Sequence, residues 1–280
     1  MRLLCQLVTP HYVAFDPFRT LGLNRVRYIK PERFYHQIDQ ITASRAVLFP
    51  EYWQIPALVF GLNKPVFPSL ASYMIGHDKI HTTRCFKAVA LANIPVTLIE
   101  SNNRSNADEI WAQMALPFVA KIPRSSMGEG VFLIESRADW NVYCQRSEVL
   151  YAQEYLPIDR DLRIVWVGNT IVGGYWRLQS GNGFHNNISR GGTLDHSPIP
   201  MAALALVEKL ARTTGIDYGG FDVAMVGDHP YLIEYNRLFG NQGLQGKEQE
   251  IAGYIQRHID QQWGDHDPEQ PNSPTVPEVA

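Results

Sequence analysis

Apolar and polar positions alternate in short blocks along most of the chain, and the blocks change character near residue 78. Before it, short apolar runs are spaced by helical stretches. Leu3–Val8 and Ala46–Phe49 read as strands and Val66–Phe67 as a strand stub. Pro31–Ile41 reads as a helix with proline in its first turn, and Trp53–Phe60 as a second helix. That rhythm predicts a small parallel sheet with crossover helices. Asp78–Ala92 then reads as a longer helix capped by Asp78, with Cys85, Phe86, Val89 and Ala92 on its buried side.

Beyond that helix the pattern becomes one of strand pairs. Phe118–Ile122 and Val131–Ile134 flank a glycine-containing loop, Ala138–Gln145 is a short helix, and Leu150–Tyr155 is a strand. Leu162–Val167 and Thr170–Tyr175 form a hairpin around Gly168-Asn169, a favoured two-residue turn. Pro200–Thr214 is a helix with Leu204, Val207 and Leu210 at its spacing and Gly215 beyond its end. Phe221–Val226 and Tyr231–Asn236 make a last hairpin around Gly227-Asp-His-Pro230. The expected class is α+β with an α/β start.

Composition narrows the function. The 280 residues carry 25 basic and 28 acidic side chains, a net charge of −3, which argues against a broadly basic nucleic-acid binder. Residues 264–280 hold four acidic residues, four prolines and no Lys or Arg, so the chain's acidity belongs to a segment expected to be a disordered tail. No apolar run is long enough to span a membrane, and Met1–Val8 is too short for a signal peptide. Three cysteines, at positions 5, 85 and 144, form no C-x-x-C pair and fit reduced thiols in a cytoplasmic protein.

Three constellations can carry chemistry. In the last hairpin Glu234 and Asn236 share one strand face, and Asp222 joins them only if residues 222 and 234 pair, which a loop of odd length such as 226–230 would allow. Two carboxylates and an amide oxygen would then form a hard set suited to Mg²⁺ carrying phosphates; on spacing alone a solvated sheet face is an equal reading. Lys121 sits in an apolar strand before Arg124-Ser-Ser-Met-Gly-Glu-Gly130, whose glycines let backbone N–H groups approach an anion. It is no Walker loop, since no Gly-Lys-Ser/Thr follows and a strand comes next; read alone, an ordinary glycine hairpin with an outward Lys is the stronger reading. Arg177, with the loop Phe184-His-Asn-Asn-Ile-Ser-Arg-Gly-Gly192, could clamp an anion or be plain polar surface. Together, Lys79, Lys121, Arg177, Arg190 and the Asp222/Glu234/Asn236 set amount to a phosphate-and-magnesium kit without a P-loop.

In that order the pieces resemble the ATP-grasp superfamily, and its RimK-type glutamate-ligase and glutathione-synthetase-like branch most closely. The resemblance covers residues 78 to 245: Asp78-Lys79 with Asn93-Ile-Pro-Val-Thr97, Pro117-Phe-Val-Ala-Lys121 with the glycine loop, Gln153-Glu154-Tyr155, Asp161-Leu-Arg163, Asn187-Ile-Ser-Arg-Gly-Gly192, Gly220-Phe-Asp222 and Glu234-Tyr-Asn236. It implies an ATP-grasp fold of two α+β subdomains gripping ATP, at 78–150 and 151–260, preceded by a small α/β domain at 1–77. Lys79 and Lys121 would neutralise ATP phosphates, under a lid containing Ser126, Gly128 and Gly130. Glu154 and Tyr155 would present backbone groups to adenine, Asp161 would accept from the ribose, and His185 and Asn187 would lie near the nucleotide. Asp222, Glu234 and Asn236 would hold two Mg²⁺ ions, or Mn²⁺ in their place. Arg177 would stabilise the transferring phosphoryl group and Arg190 would assist with the acyl substrate. Arg163 and Arg237 are candidates for substrate contact, although a two-residue turn at 168–169 puts Arg163 and Arg177 on opposite faces unless a bulge intervenes.

The implied reaction is ATP- and Mg²⁺-dependent carboxylate–amine ligation through an acylphosphate, adding glutamate or another amino acid to a small molecule or peptide. Partners are thus a carboxylate and an amine, with no nucleic acid or membrane, and with a homo-oligomer left open. The competing readings are a small-molecule kinase on the same fold and an ATP-binding regulatory module without turnover. After Asn236 the family often continues small-Ser-Pro-Gly, whereas Arg237-Leu-Phe-Gly240 stands here, so the substrate is not fixed by the resemblance.

Overall fold

The computed structural model describes residues 11–125, 130–178, 193–240 and 242–264. Among these, 11–67 with 252–264 form one compact unit and 68–251 another.

The first unit holds a parallel sheet of β1 (Tyr12–Ala14), β2 (Val26–Tyr28), β3 (Ala46–Leu48) and β4 (Val66–Phe67) in the order β2-β1-β3-β4. The parallel sheet, β3 and β4 follow the hydrophobic pattern. β1 does not stand out in it, because a three-residue strand buried on both faces shows no alternation. The expected strand at Leu3–Val8 lies outside the described residues. The expected helix 31–41 divides into a 3₁₀ segment, Pro31–Gln37, and α1 (Ile38–Ala43). The helix expected at 53–60 is a 3₁₀ turn, Tyr52–Gln54, followed by a π turn, Ala57–Gly61. Pro56 lies between them without an N–H to continue an α ladder.

The second unit begins with α2 (Leu70–Ile75) and α3 (Lys79–Ala90). Asp78 caps α3 as expected, its carboxylate accepting from the His81 N–H at 2.9 Å. Phe86 and Ala90 face the core, whereas Ala92 is exposed because the α-helix ends at Ala90 and the chain tightens into a 3₁₀ turn. A four-stranded antiparallel sheet follows, built from β5 (Thr97–Ser101), β6 (Phe118–Lys121), β7 (Val131–Ile134) and β8 (Val149–Glu154) in the order β5-β8-β6-β7. α4 (Arg104–Gln113) and α5 (Arg137–Cys144) cover one face, packing Ile110, Trp140 and Tyr143 against Phe118, Ala120, Leu150 and Ala152. Strand alternation turns Val119, Lys121, Tyr151 and Gln153 to the other face.

The larger sheet is antiparallel, with β9 (Arg160–Val167), β10 (Thr170–Leu178), β11 (Thr193–Asp195), β12 (Tyr218–Val226) and β13 (His229–Asn236) in the order β11-β10-β9-β12-β13. α3 and α6 (Met201–Thr214) pack on one face against Leu162, Ile164, Trp176, Phe221, Val223 and Tyr235. Gly215 ends α6 in the left-handed region, at φ 73°. α7 (Glu248–Trp263) closes the described chain, and its second half packs in the first unit through Tyr12 donating to Asp260 at 2.8 Å.

Candidate active site

The face of the larger sheet away from α3 and α6 assembles the charged residues, and two bulges decide which ones reach it. In the β12–β13 hairpin Val226 pairs His229 across a two-residue turn, with Gly227 at φ 58°. The odd-length loop, which was the sequence condition for pairing 222 with 234, is therefore absent. The register instead shifts between Asp222 and Val223: Val223 opposes Leu232, but Asp222 opposes Glu234. The extra residue, Ile233, restores the parity that brings Asp222, Glu234 and Asn236 to one face. In the β9–β10 hairpin Val167 pairs Thr170, and the register shifts between Ile171 and Gly173. The spare residue Val172 puts Arg163 opposite Tyr175 and Asp161 opposite Arg177. Arg163 and Arg177 thus share a face.

Those residues form a tight charged row. Asp222, 4% exposed, is paired with Arg163 through both carboxylate oxygens, at 2.9 Å for the Nη2 bond, and takes Arg177 Nη2 at 3.0 Å. Arg177 also donates to Asp161 from Nε at 2.7 Å and from Nη2 at 2.8 Å. Asn236 donates to Asp222 at 3.3 Å. Burial works to raise the Asp222 pKa, but the guanidiniums of Arg163 and Arg177 outweigh it and hold the carboxyl below the usual range. Gly220, two residues before Asp222 on the same face, leaves room for the Arg163 stem: a Cβ there would stand 2.8 Å from Arg163 Cδ.

The lysines come from outside that sheet. Lys121, at the end of β6, is 6% exposed and donates to Gln153 Oε1 at 2.7 Å. Burial, with Lys79 nearby, lowers its pKa to about 8, against the opposing pull of Glu234 and Asp222. Gln153 is itself held by Thr97, to which it donates at 3.0 Å. Lys79, in the first turn of α3, donates to the Ser125 carbonyl at 2.6 Å and lies 3.5 Å from Glu234 Oε1. It joins the hairpin segment at 125 to the carboxylate on β13. Five of the expected charged groups, Lys79, Lys121, Arg177, Asp222 and Glu234, are therefore linked by direct contact or by electrostatic influence.

Other expected residues sit differently. Glu154 uses its N–H on the Val96 carbonyl at 2.8 Å and its carboxylate on the Val96 N–H at 2.9 Å. Tyr155 follows it, half-buried. Asp161 is 5% exposed with both oxygens engaged by Arg177. Arg237 stacks on the Tyr73 ring, its guanidinium carbon 4.2 Å from the centroid. Gly130 closes the loop, its carbonyl accepting from the Ile122 N–H at 2.7 Å. Ser126, Gly128, His185, Asn187 and Arg190 lie outside the described residues. The sequence did not single out Gln153 as the partner of Lys121 or Asp161 as the partner of Arg177. A signal for the second was present, since Gly173-Gly174 inside a strand marks a bulge.

The donor set on β12 and β13 fits a divalent cation. Asp222 and Glu234 are directly opposed and Asn236 adjoins them, all oxygen-bearing groups on one face. Two carboxylates are too few to enclose a cation, and among the described residues no cluster of three or more His, Cys, Asp or Glu could do so. Mg²⁺ suits such a half-site, because it retains waters and takes its remaining ligands from substrate phosphates.

Two antiparallel sheets, with a buried lysine on the smaller and opposed carboxylates on the larger, place the fold in the class of ATP-grasp proteins. Residues 77–260 match the model of the RimK-like ATP-grasp domain, and the chain belongs to that family, one of ADP-forming ligases that work with ATP and a divalent metal. It is 25% identical over 210 residues to a probable alpha-L-glutamate ligase of Pectobacterium carotovorum, covering 70% of this chain and 69% of that protein. It is 29% identical over 180 residues to the ribosomal protein bS6–L-glutamate ligase of Salmonella paratyphi B, and that match spans 59% of each protein. The fold resembles the crystal structure of a RimK domain ATP-grasp protein from Sphaerobacter thermophilus, with TM-score 0.68 at 16% identity over 89% of this chain and 98% of that one. Among the described residues no helix is long and apolar enough to cross a membrane.

Proposed function

We propose that the protein is an ATP- and Mg²⁺-dependent carboxylate–amine ligase that joins glutamate, or another amino acid, to a peptide or small-molecule acceptor. The observation that carries this reading is the Asp222–Glu234 pair, opposed on one sheet face with Lys79 3.5 Å from Glu234. Such an arrangement can hold metal-bound phosphates between carboxylates and ammonium groups. The glutamate-ligase names of the relatives support the amino acid.

In this reading a substrate carboxylate oxygen attacks the γ-phosphorus as the bond to ADP breaks, giving an acylphosphate. An amine nitrogen then attacks the acyl carbon, phosphate leaves, and the amine loses its proton. Lys79 and Lys121 bind phosphate charge, and Arg177 faces the group in transfer. Phosphoryl transfer needs position and charge from the protein more than covalent help. Asp222, Glu234 and Asn236 hold the metal, Arg163 and Arg237 remain candidates for the acyl substrate or amine, and 78–150 and 151–260 act as the two gripping subdomains.

ADP release should depend on both an acceptor carboxylate and an amino acid, screened across peptides and the twenty amino acids, with free phosphate as co-product. A stable phosphorylated acceptor instead would mark a kinase. Glu234→Ala should abolish turnover; full activity in that variant would remove the metal role assigned here.

A further inference from the structure

The charged row on the site face has a directionality that its composition hides. Its order is Arg163, Asp222, Arg177, Asp161, with no member more than 9% exposed. The two arginines are held unequally. Arg177 spans both carboxylates and makes two hydrogen bonds to Asp161 that do not involve Asp222. Among the described residues, the hydrogen bonds and ion pairs of Arg163 run to Asp222 alone. Asp222 in turn has both oxygens covered, one by Arg163 and the other by Arg163, Arg177 and Asn236 together.

We infer that Asp161 and Arg163 are positioning residues which make cation entry at Asp222 an exchange: Asp161 retains Arg177 at the site face, while Arg163 holds the Asp222 oxygens until a divalent cation claims them. The inference rests on Asp222 being a metal ligand, as read above. Two guanidiniums already balance two carboxylates, so a divalent charge beside Asp222 is repelled by both arginines at close range in a weakly screened site. Arg177 can let go of Asp222 and stay in place through its bidentate grip on Asp161. Arg163 cannot, and is left as a buried, unpaired cation unless another anion arrives. A nucleotide phosphate or a substrate carboxylate satisfies it. Metal alone therefore binds poorly, and metal with its anionic companion binds well.

Mn²⁺ binding to the nucleotide-free full chain, followed by electron paramagnetic resonance, tests the Arg163 half. Arg163→Met should tighten Mn²⁺ by about tenfold, because the competitor for Asp222 is gone. Unchanged or weaker binding overturns the exchange. If Arg163→Met fails to fold, the wild-type protein decides: the Arg163 and Arg177 Nε–H signals in ¹⁵N NMR should both shift when Mg²⁺ and a non-hydrolysable ATP analogue are added, and static signals overturn it. Asp161→Asn should lower kcat by about 10²-fold with KM for ATP changed less than about threefold, and Asp161→Glu should recover part of the loss. A loss confined to thermal stability, with kcat intact, refutes the positioning role. Absence of Mn²⁺ binding to the wild type both with and without the nucleotide analogue removes the metal-ligand reading itself, and the exchange with it. Mn²⁺ bound to wild type only with the analogue, and no tighter in Arg163→Met, sinks the exchange alone.

Discussion

Both sheets of the 68–251 unit bury cations, but they treat them in opposite ways. The larger sheet neutralises Arg163 and Arg177 internally with Asp222 and Asp161, and burial is outweighed by those carboxylates, which raise the pKa of both arginines. Among the described residues the smaller sheet gives Lys121 neutral partners, the Gln153 amide and the face of the Tyr151 ring, and burial drops its pKa to about 8. A guanidinium can be locked into a bidentate pair, whereas an ammonium without a counter-ion stays available to an incoming anion. In the proposed function the lysine side therefore gains from phosphate, and in the proposed exchange the arginine side trades one partner for another.

The comparison breaks hardest at Asp222. Asp222→Asn strips the charge from the middle of the row and leaves Arg163 without a carboxylate. Removing one member of a buried charge network costs about 3–5 kcal/mol, so the variant should lose that much in urea unfolding as well as its turnover. An intact midpoint would mean that the row does not behave as a unit. Gly220→Ala is next. Its Cβ would meet Arg163 Cδ at 2.8 Å and Phe239 Cβ at 3.2 Å, so overpacking should cost about 1–3 kcal/mol and tilt Arg163 away from Asp222. Equal stability together with unchanged Mn²⁺ binding would show the stem to be freely mobile.

Lys121→Met tests the other side and should separate stability from affinity. The substitution removes a buried charge that, among the described residues, has no carboxylate partner within hydrogen-bonding distance, so the protein should be as stable as the wild type or slightly more so. ATP affinity should nevertheless fall by about tenfold or more, since one phosphate contact is lost. A variant that loses stability and keeps its affinity would reverse the contrast between the sheets.

The sequence reveals the order of elements in the second unit well and their faces poorly. Turn residues announce themselves, so the hairpin at Gly168-Asn169 was readable. The bulge in β13 does not: Ile233 is an ordinary strand residue, yet it alone brings Glu234 opposite Asp222. The loop read as Gly227-Asp-His-Pro230 tightens to a turn at Gly227-Asp228, with Pro230 paired to Met225 inside the strand. Proline is tolerated there, since β13 is an edge strand. Gly173-Gly174 hints at a bulge in β10, yet nothing local reveals that the spare residue Val172 sets Asp161 opposite Arg177. Residue type and spacing announce which chemistry is present. The partner of each group depends on register, which is decided by packing across strands distant in sequence.

The smallest expected effect is also the most diagnostic of the lysine side. The folded-state pKa of Lys121 lies below its ordinary 10.5, at about 8, chiefly through burial. The folded protein therefore releases this proton at a lower pH than the unfolded chain. Lys121 costs stability fully below pH 8, and that cost is relieved as pH rises from about 8 towards the unfolded value. Phosphate binding has the opposite preference, because it needs the charged ammonium. At about pH 8.5, where ATP itself no longer titrates, binding should take up part of one proton as the anion restores Lys121 to its charged form. Calorimetry in buffers of different ionisation enthalpy measures that uptake directly. It should be positive in the wild type, fade below about pH 7 and vanish in Lys121→Arg, whose guanidinium stays charged throughout. Binding without proton uptake at pH 8.5 would mean that Lys121 is already charged before ATP arrives, and the two sheets would then differ only in geometry.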